Sequence, residues 1–172
     1  MVHANTENGS ADGRPRGTLV VCFGNAFRGD DAFGLAVADR LGGALAPHAD
    51  LLVLGGDALG LFEAWRGYVR VILVDALASE GPPGKLFYCD LSQSALPFEL
   101  KGTSTHAFTL AGAVEMARAL GALPPRVEVL AATACAFSPG VAMSPELEAQ
   151  LDPAVQRILD LVVQPVGRMS DA

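Results

Sequence analysis

The sequence predicts an α/β fold: a three-layer sandwich in which a mostly parallel five-stranded twisted sheet carries helices on both faces. Three observations lead there. Val71-Ile72-Leu73-Val74 is an apolar run without alternation, as expected of a central parallel strand covered on both sides. Strand-like runs alternate with segments of helical period along most of the chain, the pattern of parallel sheets joined through helices. The chain has 172 residues, 51% hydrophobic and 18% charged. That is enough for one domain with a substantial core, and too apolar for disorder.

Residues 1–17, MVHANTENGSADGRPRG, read as a flexible leader, and they lack the apolar centre of a secretory signal. The folded domain is expected over residues 18–163, and residues 164–172 read as a loose tail. Leu19 to Phe23 is rich in strand-favouring residues. Gly24-Asn25 break that run, as residues tolerant of unusual backbone angles do. Phe33, Leu35, Ala36, Val37 and Leu41 then take up a helical period, with Asp30-Asp31 where the helix starts. A connector over 42–49 leads to a second strand, Asp50 to Leu54. A short helix is expected from Leu59 to Trp65, with Leu59, Phe62 and Trp65 inward.

The third strand spans Val69 to Leu77, and Asp75 ends its apolar run. A Gly-Pro-rich loop over 79–84 precedes the fourth strand, Lys85 to Cys89, expected antiparallel at an edge. Residues 90–106 are polar or irregular. A helix from Thr109 to Leu120 presents a stripe of Leu110, Ala113, Val114, Ala117 and Leu120, and Gly121 ends it. The fifth strand runs from Arg126 to Ala132. Ser144 and Pro145 have the chemistry of N-cap and first helical residue; that last helix is expected to restart at Asp152-Pro153 and reach Val163.

Composition narrows the function. The net charge of −7 argues against a general nucleic-acid surface. No apolar run approaches a membrane span, and no membrane partner is expected. Cys22, Cys89 and Cys135 are odd in number and widely spaced, as reduced thiols of a cytoplasmic protein are. Cys22 reads as a small core residue. A monomer is expected.

Three residues stand out as carriers of chemistry. Asp31 and Asp75 both follow strands expected to be adjacent and parallel, so both fall at the carboxyl edge of the sheet, where open α/β sheets bind ligands. Asp30 is the better candidate for an ordinary helix N-cap. A charged Asp75 at the rim of a buried strand needs a partner: an amide, a base or a metal. His106 precedes a well-formed helix and reaches the same edge if its loop crosses over it. Two carboxylates and an imidazole suit a borderline divalent metal such as nickel or zinc. Their separations are not those of a local metal motif.

The stretch LVVCFGNAFRGDDAFGLAVADRL resembles the hydrogenase maturation proteases. That family carries Gly-Asn, four residues, then Asp-Asp or Asp-Glu, then usually Gly, after its first strand. Here these are Gly24-Asn25, residues 26–29 and Asp30-Asp31, with Ala32 in place of the usual Gly and Phe27 in place of the usual Leu. The resemblance continues through GYVRVILVDALASEGPPGKLFYCDL, THAFTLAGAVEMARALGALPPRVEVLA and GVAMSPELEAQLDPAVQRILDLV. Gly55-Gly56-Asp57 fits the family's Gly-rich turn only loosely, and Ala142 replaces a usual Gly.

The resemblance implies an aspartic-type endopeptidase that removes a C-terminal extension from the large-subunit precursor of a nickel-iron hydrogenase. It implies that Asp31, Asp75 and His106 are the catalytic and metal-contacting positions. It also implies that the nickel belongs to the substrate rather than being a permanent cofactor. Three other readings compete. A nucleotide-binding α/β enzyme would use the loop after the first strand, but that loop lacks the G-x-G-x-x-G spacing and the P-loop Lys, and its two acids would repel phosphate. A Cys135–His106 thiol hydrolase lacks a third group. A metal-sensing chaperone would bind the same precursor through the same residues without cutting it.

Overall fold

The computed structural model describes residues 16–55, 60–79, 81–92 and 110–165. Five strands form one sheet in the order β2-β1-β3-β5-β4. They are β1 Arg16–Phe23, β2 Ala49–Leu54, β3 Tyr68–Ala78, β4 Leu86–Asp90 and β5 Arg126–Ala134. β1 pairs in parallel with both β2 and β3, β3 pairs in parallel with β5, and β4 closes the far edge antiparallel to β5. The predicted architecture is the observed one, including the antiparallel edge strand.

Helices cover both faces. On one lie α1 Phe33–Leu41, α4 Pro145–Glu148 and α5 Leu151–Val163. Phe33, Val37, Leu41, Leu147, Leu151 and Ile158 pack there against Val20, Cys22, Ile72, Val74 and Leu130. On the other lie α2 Gly60–Ala64 and α3 Leu110–Ala119, where Leu61, Trp65, Ala113, Val114 and Ala117 meet Val21, Val71, Leu73, Val127 and Val129. Alternate residues of β3 therefore serve opposite cores, which explains its unbroken apolar run. Cys22 is buried in the first core, as expected.

Several boundaries differ from the sequence reading. β1 begins at Arg16 rather than near Thr18. A 3-10 turn, Gly29–Ala32, precedes α1, and Asp30 is not an N-cap: no side chain caps either the turn or α1. Ser144 takes the N-cap backbone position of α4 without a side-chain cap bond. The last helical segment breaks at 149–150 and restarts at Leu151. Leu120 was expected in the stripe of α3 but is 68% exposed. The helix ends at Ala119, and Gly121 at φ +64° turns the chain away from the core. His106, Leu59 and Asp57 lie outside the described residues, as do residues 1–15 of the expected leader and 166–172 of the expected tail.

β3 also outlasts its expected end. Its pairing with β1 stops at Cys22–Val74, whereas its pairing with β5 continues through Asp75–Ala131 to Ala78–Ala134. The carboxyl edge of the sheet is therefore stepped, and Asp75 is the first β3 residue past the step.

A second polar cluster anchors the opposite end of the sheet. Arg70 of β3 and Glu128 of β5 are both fully buried. Arg70 Nε donates to Glu128 Oε2 at 2.5 Å and Nη2 to Oε1 at 3.1 Å. Arg126 Nη2 reaches the same Oε1 at 3.0 Å, and the Tyr88 hydroxyl donates to it as well. Arg70 Nη1 donates to the carbonyls of Leu161 and Gln164 at 2.5 and 3.3 Å, satisfying the end of α5.

Candidate active site

The site is assembled by the turn that follows β1. Gly24 has φ +152°, and a Cβ there would lie 2.1 Å from the carbonyl oxygen of Asp31. Only glycine allows the chain to fold back so closely. The turn is then closed by Asn25 N donating to Asp31 O at 3.0 Å and Asp31 N donating to Arg28 O at 3.2 Å. The Asp31 carboxylate is partly exposed and forms an ion pair with Arg28 Nη1 at 3.8 Å.

Asp75 lies on the neighbouring strand. Along β3, Val71, Leu73 and Leu77 belong to the core under α2 and α3, so alternation places the Asp75 side chain on that same face. Asp75 Oδ1 accepts a hydrogen bond from Ala76 N at 2.8 Å. Burial pushes the Asp75 carboxyl up to about 7; the Ala76 amide works against that shift and the nearby charge of Asp31 adds to it. Buried Cys22 is likewise pushed up to about 12, by burial first and by the charge of Asp75 second. Asp31 and Asp75 thus share one electrostatic environment at the carboxyl edge of the sheet.

His106 lies outside the described residues. Among the described residues, no group of three or more His, Cys, Asp and Glu side chains is arranged to hold a metal ion. α3 leads into the start of β5, so the helix begins at the carboxyl edge, on the face that carries Asp75.

Asp30 has a different environment from its neighbour. It is fully buried, and it accepts backbone N–H bonds from Cys135 at 3.1 Å, Ala136 at 2.9 Å and Ser144 at 2.8 Å. Burial alone would raise its pKa, but the amides of Ser144, Ala136 and Cys135 outweigh it and hold the carboxyl below its ordinary value. Asp30 N also donates to Ala136 O at 2.7 Å.

Residues 36–161 match the family model HycI, hydrogenase maturation protease. The chain belongs to the hydrogenase maturation protease family. The matched span includes Asp75 and position 106 and begins after Asp31. A solved hydrogenase 2 maturation peptidase from a Thaumarchaeota archaeon is 29% identical, with a TM-score of 0.63 over 86% of this chain and 99% of that one. The hydrogenase maturating endopeptidase HybD from E. coli superposes with a TM-score of 0.65 at 20% identity, over 84% of this chain and 91% of that one. The hydrogenase maturation protease HycI from Thermococcus kodakarensis does so at 0.62 and 21% identity, over 89% and 96%. Among curated protein sequences, none matches significantly.

As a maturation protease the chain is a peptide hydrolase, and the nucleotide-binding reading falls away. Two residues of the site were missed in the sequence: Arg28, which pairs with Asp31, and Asp30 in its actual role. A basic residue three positions before an acid in a turn was a local signal for the first. No local signal existed for the second, because its donors lie more than a hundred residues away.

Proposed function

We propose that this maturation protease removes a C-terminal extension from the nickel-loaded large-subunit precursor of a nickel-iron hydrogenase, with Asp31, Asp75 and His106 contacting the nickel that the precursor carries. The observation that supports this reading best is the coupling of Asp31 and Asp75 across the stepped edge of the sheet. Two carboxylates that disfavour each other's ionisation are an incomplete arrangement, and a divalent cation completes it. Oxygen donors with an imidazole suit nickel, and so small a donor set fits an ion supplied from outside better than a closed structural site. His106 is the third donor in this reading because it precedes α3 by a few residues, and α3 begins on the Asp75 face.

The ion, when present, supplies positive charge that polarises the scissile carbonyl. The chain supplies the rest. Arg28 steadies the ionised Asp31. Arrival of the cation releases the proton that Asp75 holds below neutrality. An ionised carboxylate of the pair then accepts a proton from the attacking water, whose oxygen bonds to the scissile carbonyl carbon. That proton passes to the leaving amide nitrogen as the C–N bond breaks.

The test is incubation with nickel-loaded and metal-free precursor, followed by intact mass. A defined C-terminal loss is expected only from the loaded form, and Asp31→Ala should abolish it with an unchanged melting temperature. Equal cleavage of both forms would refute metal recognition. Binding without any mass loss would leave the non-cleaving chaperone as the function, and a fully active Asp31→Ala protein would remove that residue from the site.

A further inference from the structure

The loop beside the candidate site carries an exposed aromatic residue on an immobilised backbone. Phe27 is 80% exposed, yet both of its backbone polar groups are held. Its N–H donates to Asn25 Oδ1 at 2.9 Å, and its carbonyl accepts from Gly140 N at 2.8 Å. The next residue along from Gly140 is Val141, 45% exposed. The loops that bear these two side chains are joined further by Arg28 Nε donating to Phe137 O at 3.4 Å and by the four backbone contacts of Asp30 described above. Gly29 sits between them at φ +58°, where a Cβ would lie 2.3 Å from Ala136 O and 2.7 Å from Val141 Cγ2. The two loops form one lip, packed so tightly that only glycine fits at its centre.

A single exposed apolar residue is ordinary on any surface. Here two of the five large exposed apolar residues among the described residues share one lip, and that lip adjoins Asp31. Leu120 and Val163, by contrast, follow or end helices at the other end of the sheet. Holding the backbone under a side chain removes much of the entropy cost of docking against it.

We propose that Phe27 and Val141 form a docking surface for an apolar side chain of the hydrogenase precursor, next to its scissile bond. This inference rests on the precursor being the substrate. Phe27 and Asp31 are four positions apart in the chain, so their Cα atoms are at most ~14 Å apart. An extended substrate segment covers that distance in about four residues, so the docked side chain lies within about four residues of the bond cut at Asp31. Arg28 stands between lip and carboxylate, its ion pair with Asp31 marking the inner border of the surface. Asp30 acts on this surface as a positioning residue by holding the lip together from beneath.

The test compares Phe27→Ser, Val141→Ser, the remote exposed control Leu120→Ser, and Asp31→Asn. Each is measured for kcat and KM on the nickel-loaded large-subunit precursor, and for Kd by surface-immobilised binding of that precursor. Phe27→Ser is expected to raise KM and Kd roughly tenfold with kcat within about twofold, the pattern of lost uniform binding. Val141→Ser should do the same to a smaller degree, and Leu120→Ser should change nothing. Normal KM and Kd in Phe27→Ser, beside an inactive Asp31→Asn protein, would overturn the docking surface and leave the catalytic reading standing. Conversely, an active Asp31→Asn protein would overturn the catalytic reading, and the Kd of Phe27→Ser would still decide this inference. Failure of the wild-type protein to bind the precursor would overturn both.

Discussion

Replacing Asp30 with Ala should cost far more than the loss of a helix cap. A cap is worth about 0.5–2 kcal/mol. Asp30 instead is fully buried and accepts three amide hydrogen bonds, from Cys135, Ala136 and Ser144. Hydrogen bonds to a charged group contribute roughly 1.5–3 kcal/mol each, and in the Asp30→Ala protein all three donors lose their partner inside the fold. Because the three share one acceptor, their losses do not add in full, and the expected cost is about 3–6 kcal/mol. Against a net stability of roughly 5–15 kcal/mol that is a large fraction, and in a domain of this size it lowers Tm by about 10–20 °C. Urea unfolding of wild type and Asp30→Ala at pH 7 gives the difference directly. Its pH dependence gives an independent check. The folded-state pKa of Asp30 is lowered, so its stabilisation is present above the ordinary carboxylate value and is lost as pH falls through the folded value. The gap between the two proteins should therefore narrow below about pH 4. A gap under about 1 kcal/mol at pH 7, or one that stays constant down to pH 3, would refute the reasoning.

Three further outcomes are expected. Asp75 titrates near 7 in the folded protein. Its stability contribution is therefore full below the unfolded value near 4 and declines as pH rises through about 7, by up to about 4 kcal/mol, less what residual solvent contact screens; thermal melts of Asp75→Asn from pH 4 to 8 should lack that decline. Glu128→Ala leaves the buried Arg70 guanidinium without its bidentate partner and should lose about 3–5 kcal/mol in urea unfolding. Gly29→Ala combines a φ of +58° with a Cβ 2.3 Å from a backbone oxygen, and should lower Tm and raise the precursor KM together, because the lip must open to admit the methyl group.

The parts of this fold that were legible in the sequence are those whose cause is local. Val71 to Val74 face two cores at once, and an unbroken apolar run records that. Gly24 and Asn25 record the end of β1 for the same kind of reason. Asp75 was legible both as a residue of the third strand and as one at the carboxyl edge; the strand's last residue, Ala78, was not. The strand continues to Ala78 because β5 continues beside it, and no residue near position 75 encodes the length of β5. Arg70 and Glu128 are 58 positions apart and read locally as ordinary polar positions of two strands. Only the β3–β5 register, two rungs from the Arg70–Arg126 pair, brings them within reach of each other. Leu120 failed in the opposite way: its helical spacing was right, but the helix ended one residue before it.

The adjacent acids show how a backbone conformation sorts chemically identical residues. Asp30 and Asp31 occupy the same 3-10 turn, Gly29–Ala32. With three residues per turn, consecutive side chains diverge by about 120°. One carboxylate therefore points into the protein when the next does not. Asp30 meets the amides of 135, 136 and 144, which favour its charged form and tie down the lip. Asp31 pairs with Arg28, is partly exposed and lies in the field of Asp75, the position that the proposed function gives to contact with the substrate's nickel. The sorting needs both residues to be acids and the turn to start at Gly29. Its positive φ and the 2.3 Å clearance to Ala136 O fix that start against the second loop. A one-residue insertion at 28–29 would rotate the pair, turn Asp30 toward the position that the proposed function gives to the substrate, and leave three amides facing whatever residue replaced it. The fold would then lose its tether at the same step at which the proposed site changed its acid, which would couple stability and activity through the register of a single turn.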